Sequence, residues 1–161
     1  LFGIPLPVYL VALVAIAGQF ILTKTAIGWY ILAVGSNAEA SHLSGINVRK
    51  VKVVAHIYSS VAVAIAAIMY LSRLGAAQPT AGNGYELEAV CATVIGGSSI
   101  MGGEGSIVGS AIGAMVVMVL RNGMVLLGVS TYWQQLIIGT VLVVAVIFDV
   151  LRKKVEARKL H

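Results

Sequence analysis

The stretch Gly84–Val116, GYELEAVCATVIGGSSIMGGEGSIVGSAIGAMV, decides the fold. It is apolar enough for a bilayer, yet paired glycines interrupt it at Gly96-Gly97 and Gly102-Gly103, with Gly105 just beyond. The run before the break, Leu87–Ile95, is too short to span. The run after it, Ser106–Leu120, would be about 22 Å long as a helix, against a hydrocarbon core of roughly 30 Å. Two short segments around a glycine elbow describe a discontinuous membrane element. Irregular backbone at membrane depth survives only where protein buries it or where it lines a water-filled cavity. Gly96, Gly97, Gly102 and Gly103 are therefore candidates for a translocation pathway.

Glycine has a second use in the same stretch. Gly105, Gly109 and Gly113 recur every four residues, followed one step on by Ser106, Ser110 and Ala114. On a helix this makes a smooth stripe that another helix can approach closely. Plain helix packing explains the stripe without any transport role.

The rest of the chain fits a membrane protein. Of 161 residues, 59% are hydrophobic and 11% charged, where a soluble domain carries about 25% charged residues. The mean hydropathy is +0.97. One cysteine, Cys91, allows no internal disulfide framework and no multi-cysteine metal site. The formal net charge is +5, but the cations sit at the ends of apolar runs, where membrane orientation explains them and nucleic-acid binding does not follow. The chain opens at Leu1 on apolar sequence without a charged leader, and is expected to be the C-terminal part of a longer polypeptide.

The expected architecture is all-α: a polytopic membrane helix bundle of about five crossings, one of them the glycine-broken segment. The membrane segments are placed at 4–22, 51–71, 87–101, 106–120 and 133–148. Pro5 and Pro7 suit a first helical turn. Between the first two spans, 28–50 is the one long polar segment, with Trp29 and Tyr30 as interfacial aromatics. Ser36 or Asn37 caps a short helix of about two turns from Ala38, and Gly45 ends it in a left-handed conformation. Gly75–Glu86, with Pro79, reads as a loop. Arg121 to Gly123 marks an interface and Met124–Tyr132 a loop or half-helix. Asp149 faces water or pairs with Arg152.

The distribution of cations assigns the sides. Four basic residues lie between Lys24 and Lys52, and five in the tail after Leu151. Only Arg73 and Arg121 border the other two connections. The 28–50 segment and the C-terminus are then cytoplasmic. Five crossings satisfy the parity and place the elbow near the inner side. Tyr85, Glu86 and Glu88 fall at the outer mouth, either as interfacial charge or in gating and docking.

Three motifs carry a resemblance. GSNAEASHLSGINVRKVK (Gly35–Lys52), the broken stretch above, and NGMVLLGVSTYWQQLIIG (Asn122–Gly139) resemble, in order and spacing, bacterial ABC-importer permeases of the ribose/xylose/galactose type. The chain corresponds to the C-terminal half of such a subunit. It departs where the second span, SSVAVAIAAIMYLSRL, lacks the family's glycine-rich run. The resemblance implies a subunit that pairs with a second permease subunit, receives a monosaccharide from a periplasmic or lipid-anchored binding protein, and is driven by separate ATPase subunits. It implies a coupling helix at the loop matching Ala38–Ile46, with Glu39, Ala40, Ser44, Gly45 and Ile46 toward the ATPase.

The residues limit the other readings. No GxxxxGK[ST] motif is present, so ATP hydrolysis must come from a partner. No catalytic residue, metal site or cofactor is expected, because the three histidines are scattered. His56 reads as a hydrogen-bonded interfacial residue, and Met101, Met115, Met118 and Met124 as packing or lipid-facing residues. An ion-gradient transporter would want a carboxylate inside a span, and none lies clearly there. The cargo remains open to a branched-chain amino acid, a nucleoside or another small polar solute.

Overall fold

The computed structural model describes residues 5–76 and 82–159, with side chains through Leu151. Pro79 and the expected pairing of Asp149 with Arg152 lie outside these described residues. Among the described residues seven helices follow in order: α1 Leu6–Lys24, α2 Ala26–Ser36, α3 Ala38–Leu43, α4 Val48–Leu74, α5 Tyr85–Ile95, α6 Ile107–Leu126 and α7 Thr131–Lys159. No strand occurs among the described residues. The chain divides into two compact units, Leu1–Ala81 and Gly82–His161. Among the described residues four helices are long and apolar enough to cross a membrane: α1, α4, α6 and the Thr131–Leu151 part of α7. This is the polytopic helical bundle expected from the sequence.

In the first unit, Pro5 precedes α1 and Pro7 occupies its first turn, where no backbone donor is lost. Thr25 then joins two helices. Its Oγ1 donates to the Ile21 carbonyl at 2.6 Å and accepts from the Gly28 amide at 3.3 Å. Gly28 lies so close to the carbonyls of Ile21 and Leu22 that a Cβ would strike them. This close turn lets α2 begin at Ala26, inside what the sequence presents as a polar connection. With 11 residues, α2 is about 16 Å long and does not span. The expected 28–50 loop is thus two short helices, α2 and α3. Helix α4 extends a turn beyond the expected 51–71 at its start because Asn47 caps it, its Oδ1 accepting from the Lys50 amide at 3.0 Å. Tyr58 ties α4 to α1 through a bond from its hydroxyl to the Val14 carbonyl at 3.0 Å, which satisfies a polar tip among apolar helices.

In the second unit, α5 runs antiparallel beside α6. The helix axes come closest at glycines: a Cβ on Gly109 would meet the Gly96 carbonyl, and one on Gly113 the Ala92 carbonyl. The glycine stripe of α6 therefore faces α5. Cys91, Ala92, Val117, Met124 and Ile138 form the buried cluster between α5, α6 and α7, with Val129, Ile137, Val141 and Leu142 packed on it. Gln134 is buried beside it and donates to the Val129 carbonyl at 2.7 Å. The expected membrane segment 87–101 is half helix and half turn. Helix α6 is longer than the expected 106–120: its 20 residues give about 30 Å, a full hydrocarbon thickness. Arg121 does not end it, for a reason given by its partner below.

Candidate coupling segment and glycine elbow

The α3 segment is a short helix fixed at both ends. Asn37 is its N-cap, in extended backbone, and its Oδ1 accepts from the amides of Glu39 at 3.0 Å and Ala40 at 2.9 Å. At the other end the Gly45 amide bonds the His42 carbonyl and the Ile46 amide bonds the Ser41 carbonyl, both at 3.0 Å. That pattern is a Schellman motif with Gly45 as the left-handed residue, at φ +83°. Asn47 then opens α4. Six helical residues would not hold as an isolated helix. Here the caps and the contacts of α3 with α2 and α4 hold it.

The two faces of α3 differ. Ser41 is buried, and its Oγ donates to the Asn37 carbonyl at 2.8 Å. Glu39, Ala40 and Ser44 are exposed, as is Gly45, and Ile46 is half-buried. The structure therefore brings these five expected residues onto one segment. It adds Leu43, whose relative exposure of 82% is large for leucine in a helix bounded by rigid turns. The sequence alone gives Leu43 no role, since the direction of a leucine in a six-residue helix depends on its register. Only the register fixed by Asn37 and Ser41 turns it outward.

The elbow, Gly96 to Ser106, is built from glycines and serines. Gly97, Gly102 and Gly103 have φ of +86°, +83° and +84°, which side chains with a Cβ rarely adopt. Gly96 has an ordinary φ of −72°, and its lack of a side chain admits Gly109 instead. Ser99 organises the turn: its amide donates to the Glu104 carbonyl at 3.1 Å, its carbonyl accepts from Gly102 at 3.2 Å, and its Oγ accepts from the Met101 amide at 3.3 Å. The same hydroxyl donates to Asp149 Oδ2 on α7 at 3.1 Å. Ser98 and Ser110 hydroxyls lie 3.3 Å apart, and Ser106 caps α6 by accepting from the Gly109 amide at 3.2 Å. Backbone conformation and helix packing thus account for all four elbow glycines.

The third expected cluster is partly assembled. Glu88 Oε1 lies 2.6 Å from Arg121 Nη1, and the Arg121 guanidinium sits 5.3 Å from the centre of the Tyr85 ring. Tyr85 and Glu88 share a face of α5, one helical turn apart, whereas Glu86 is exposed elsewhere. The ion pair explains the continuation of α6, since a cation neutralised by a carboxylate need not stop at water. The pair is only 30% and 17% exposed. Arg121→Gln is expected to cost about 1–3 kcal/mol, between the values for surface and buried pairs. The double variant Glu88→Gln/Arg121→Gln should regain more than half of the loss in thermal unfolding.

The expected bland roles of the other polar and sulfur side chains also have geometry. His56 Nδ1 donates to the Lys52 carbonyl at 2.8 Å. Met124 is buried in the core, while Met101, Met115 and Met118 are exposed.

Long apolar helices, a glycine-broken hairpin and an exposed, doubly capped short helix describe a multi-pass membrane protein. The chain belongs to the family described as branched-chain amino acid transport system / permease component, which it matches over residues 1–146. It is 45% identical over 147 residues to the ribose import permease protein RbsC of Escherichia coli (strain K12), covering 91% of this chain and 46% of that protein. It is 46% identical over 152 residues to the xylose transport system permease protein XylH of Haemophilus influenzae, covering 94% of this chain and 40% of that protein. The chain therefore spans less than half the length of these relatives. No solved structure matches it.

Proposed function

We propose that this chain is the C-terminal half of the permease subunit of an ATP-driven importer, and that α3 is the element through which ATP hydrolysis moves the membrane helices. The carrying observation is the geometry of α3: a segment locked by Asn37, the Gly45 turn and Asn47, with Glu39, Ala40 and Leu43 exposed. A short helix joined through the fixed Gly45 turn to a 27-residue helix transmits displacement with little loss. The basic residues Arg49, Lys50 and Lys52 put this end of α4 on the cytoplasmic side, where an ATPase subunit docks, and the same rule puts the C-terminus there. On ATP closure of the partner dimer, α3 moves with it and the spans tilt around the glycine elbow. A second permease subunit and a periplasmic or lipid-anchored binding protein complete the importer in the cytoplasmic membrane, and Tyr85, Glu86 and Glu88 mark its outer mouth.

The cargo we propose is a monosaccharide, as the names of the ribose and xylose relatives suggest. The family description favours a second candidate, a branched-chain amino acid. Uptake of labelled ribose, xylose and leucine by cells carrying the full-length subunit and its ATPase separates the two. Leu43→Asp is expected to lower uptake of the true substrate by at least about tenfold, since it replaces an exposed apolar contact of the docking face with a charge that binding would have to desolvate. Membrane abundance should be unchanged. Undiminished uptake in Leu43→Asp would remove α3 from the coupling path.

A further inference from the structure

A groove of about 1110 Å³ lies along the start of α4. Its lining changes character along the helix. At the α3 end it presents His42, Arg49, Lys52 and His56, and farther along it presents Val53, Ile57 and Val61. No Asp or Glu lines it. The α4 positions recur at intervals of three and four residues, so they form one face.

The length of α4 sets the depth of this face. Its 27 residues make about 40 Å, roughly 10 Å more than the hydrocarbon core. The stretch between Lys52 and Arg73 carries no Asp, Glu, Lys or Arg and is about 30 Å long, matching that core. Arg49 and Lys52 then lie at headgroup level, and Val53, Ile57 and Val61 lie progressively deeper among acyl chains.

We infer that this groove binds one anionic phospholipid. Its phosphate is held by Arg49 and Lys52, and one acyl chain lies along Val53, Ile57 and Val61. The cations select the anionic headgroup, and the apolar face below them selects an amphiphile over a free anion. The inference rests on α4 spanning the membrane and not on the docking of an ATPase. Because His42 and Gly45 also border the groove, the lipid touches the segment assigned to coupling.

The test uses the full-length protein with its partner subunits in phosphatidylcholine nanodiscs doped with phosphatidylglycerol. Native mass spectrometry then reads retained phosphatidylglycerol. Each cation near an anionic headgroup contributes roughly fivefold, so Arg49→Gln/Lys52→Gln should weaken retention about 25-fold. Ile57→Trp fills the apolar part of the groove, keeps both cations, and should also lower retention. It remains decisive if the double variant fails to fold. Lys24→Gln, outside the groove, should change retention less than about twofold. Equal loss in Lys24→Gln, full retention in the groove variants, or displacement by inorganic phosphate would overturn the inference. A photo-reactive residue at Val61 that cross-links to protein instead of lipid would do the same, by showing that another helix or subunit fills the groove.

Discussion

A Gly109→Leu variant is expected to lose the α5–α6 hairpin and with it a monodisperse assembly. The obstacle at this position is the backbone carbonyl of Gly96, which cannot rotate aside as a side-chain tip would. Even Gly109→Ala places a Cβ against it, for an expected cost of about 1–3 kcal/mol. Leucine adds three more carbons in the same direction, and the hairpin must separate to accommodate them. Gly113→Leu should behave alike, because its Cβ would meet the Ala92 carbonyl. Gly123→Ala and Gly139→Ala provide the contrast. Both glycines are helical and have open space where a Cβ would stand, so alanine there should be neutral or stabilising by up to about 1 kcal/mol. Thermal unfolding followed by size-exclusion chromatography in detergent reads all five variants. An unchanged, monodisperse Gly109→Leu would show that the hairpin does not pack on this stripe.

Gly45→Val is expected to leave the protein in the membrane but to uncouple transport from ATP hydrolysis. Nothing lies within 4 Å of a Cβ at Gly45, so the substitution meets no steric wall. Its cost is conformational: an L-residue at φ +83° loses about 1–2 kcal/mol in the left-handed region, and a β-branched one more. That strain falls on the two bonds that close α3, from Gly45 to His42 and from Ile46 to Ser41. With the turn released, α3 no longer moves as one piece with α4. Substrate uptake should fall at least about tenfold while ATPase activity persists. Gly45→Asn, which tolerates the left-handed region, should retain most of the uptake. Normal uptake and normal substrate-stimulated ATPase activity in Gly45→Val would refute this role for the turn.

These two sites mark what a local reading reaches. Asn37, the six helical residues and Gly45 lie in one continuous segment, and cap chemistry needs only neighbours. The elbow was equally legible, because paired glycines in an apolar run announce a break whatever packs around them. Features that depend on distant partners were not. Arg121 looked like a helix end because Glu88, its neutralising partner, is 33 residues earlier. Asp149 also accepts from the Ser99 hydroxyl, 50 residues away, a contact that no local pattern announces. Helix α2 lies inside the segment that reads as a polar connection, because the close approach of Gly28 to α1 that starts it is a packing contact and not a sequence signal. The stripe of Gly109 and Gly113 was visible as a contact surface, but its partner, α5, was not.

The proposed coupling requires that α3 dock on an ATP-hydrolysing partner. It is tested most directly by placing a photo-reactive residue at Ala40, on the exposed face of α3, in the full-length subunit expressed in its own membrane. Docking should give a cross-link to an ATP-binding subunit, with a yield that changes between nucleotide-free and ATP-trapped states. Cross-links confined to lipid or to a second copy of this chain, indifferent to nucleotide, would contradict it.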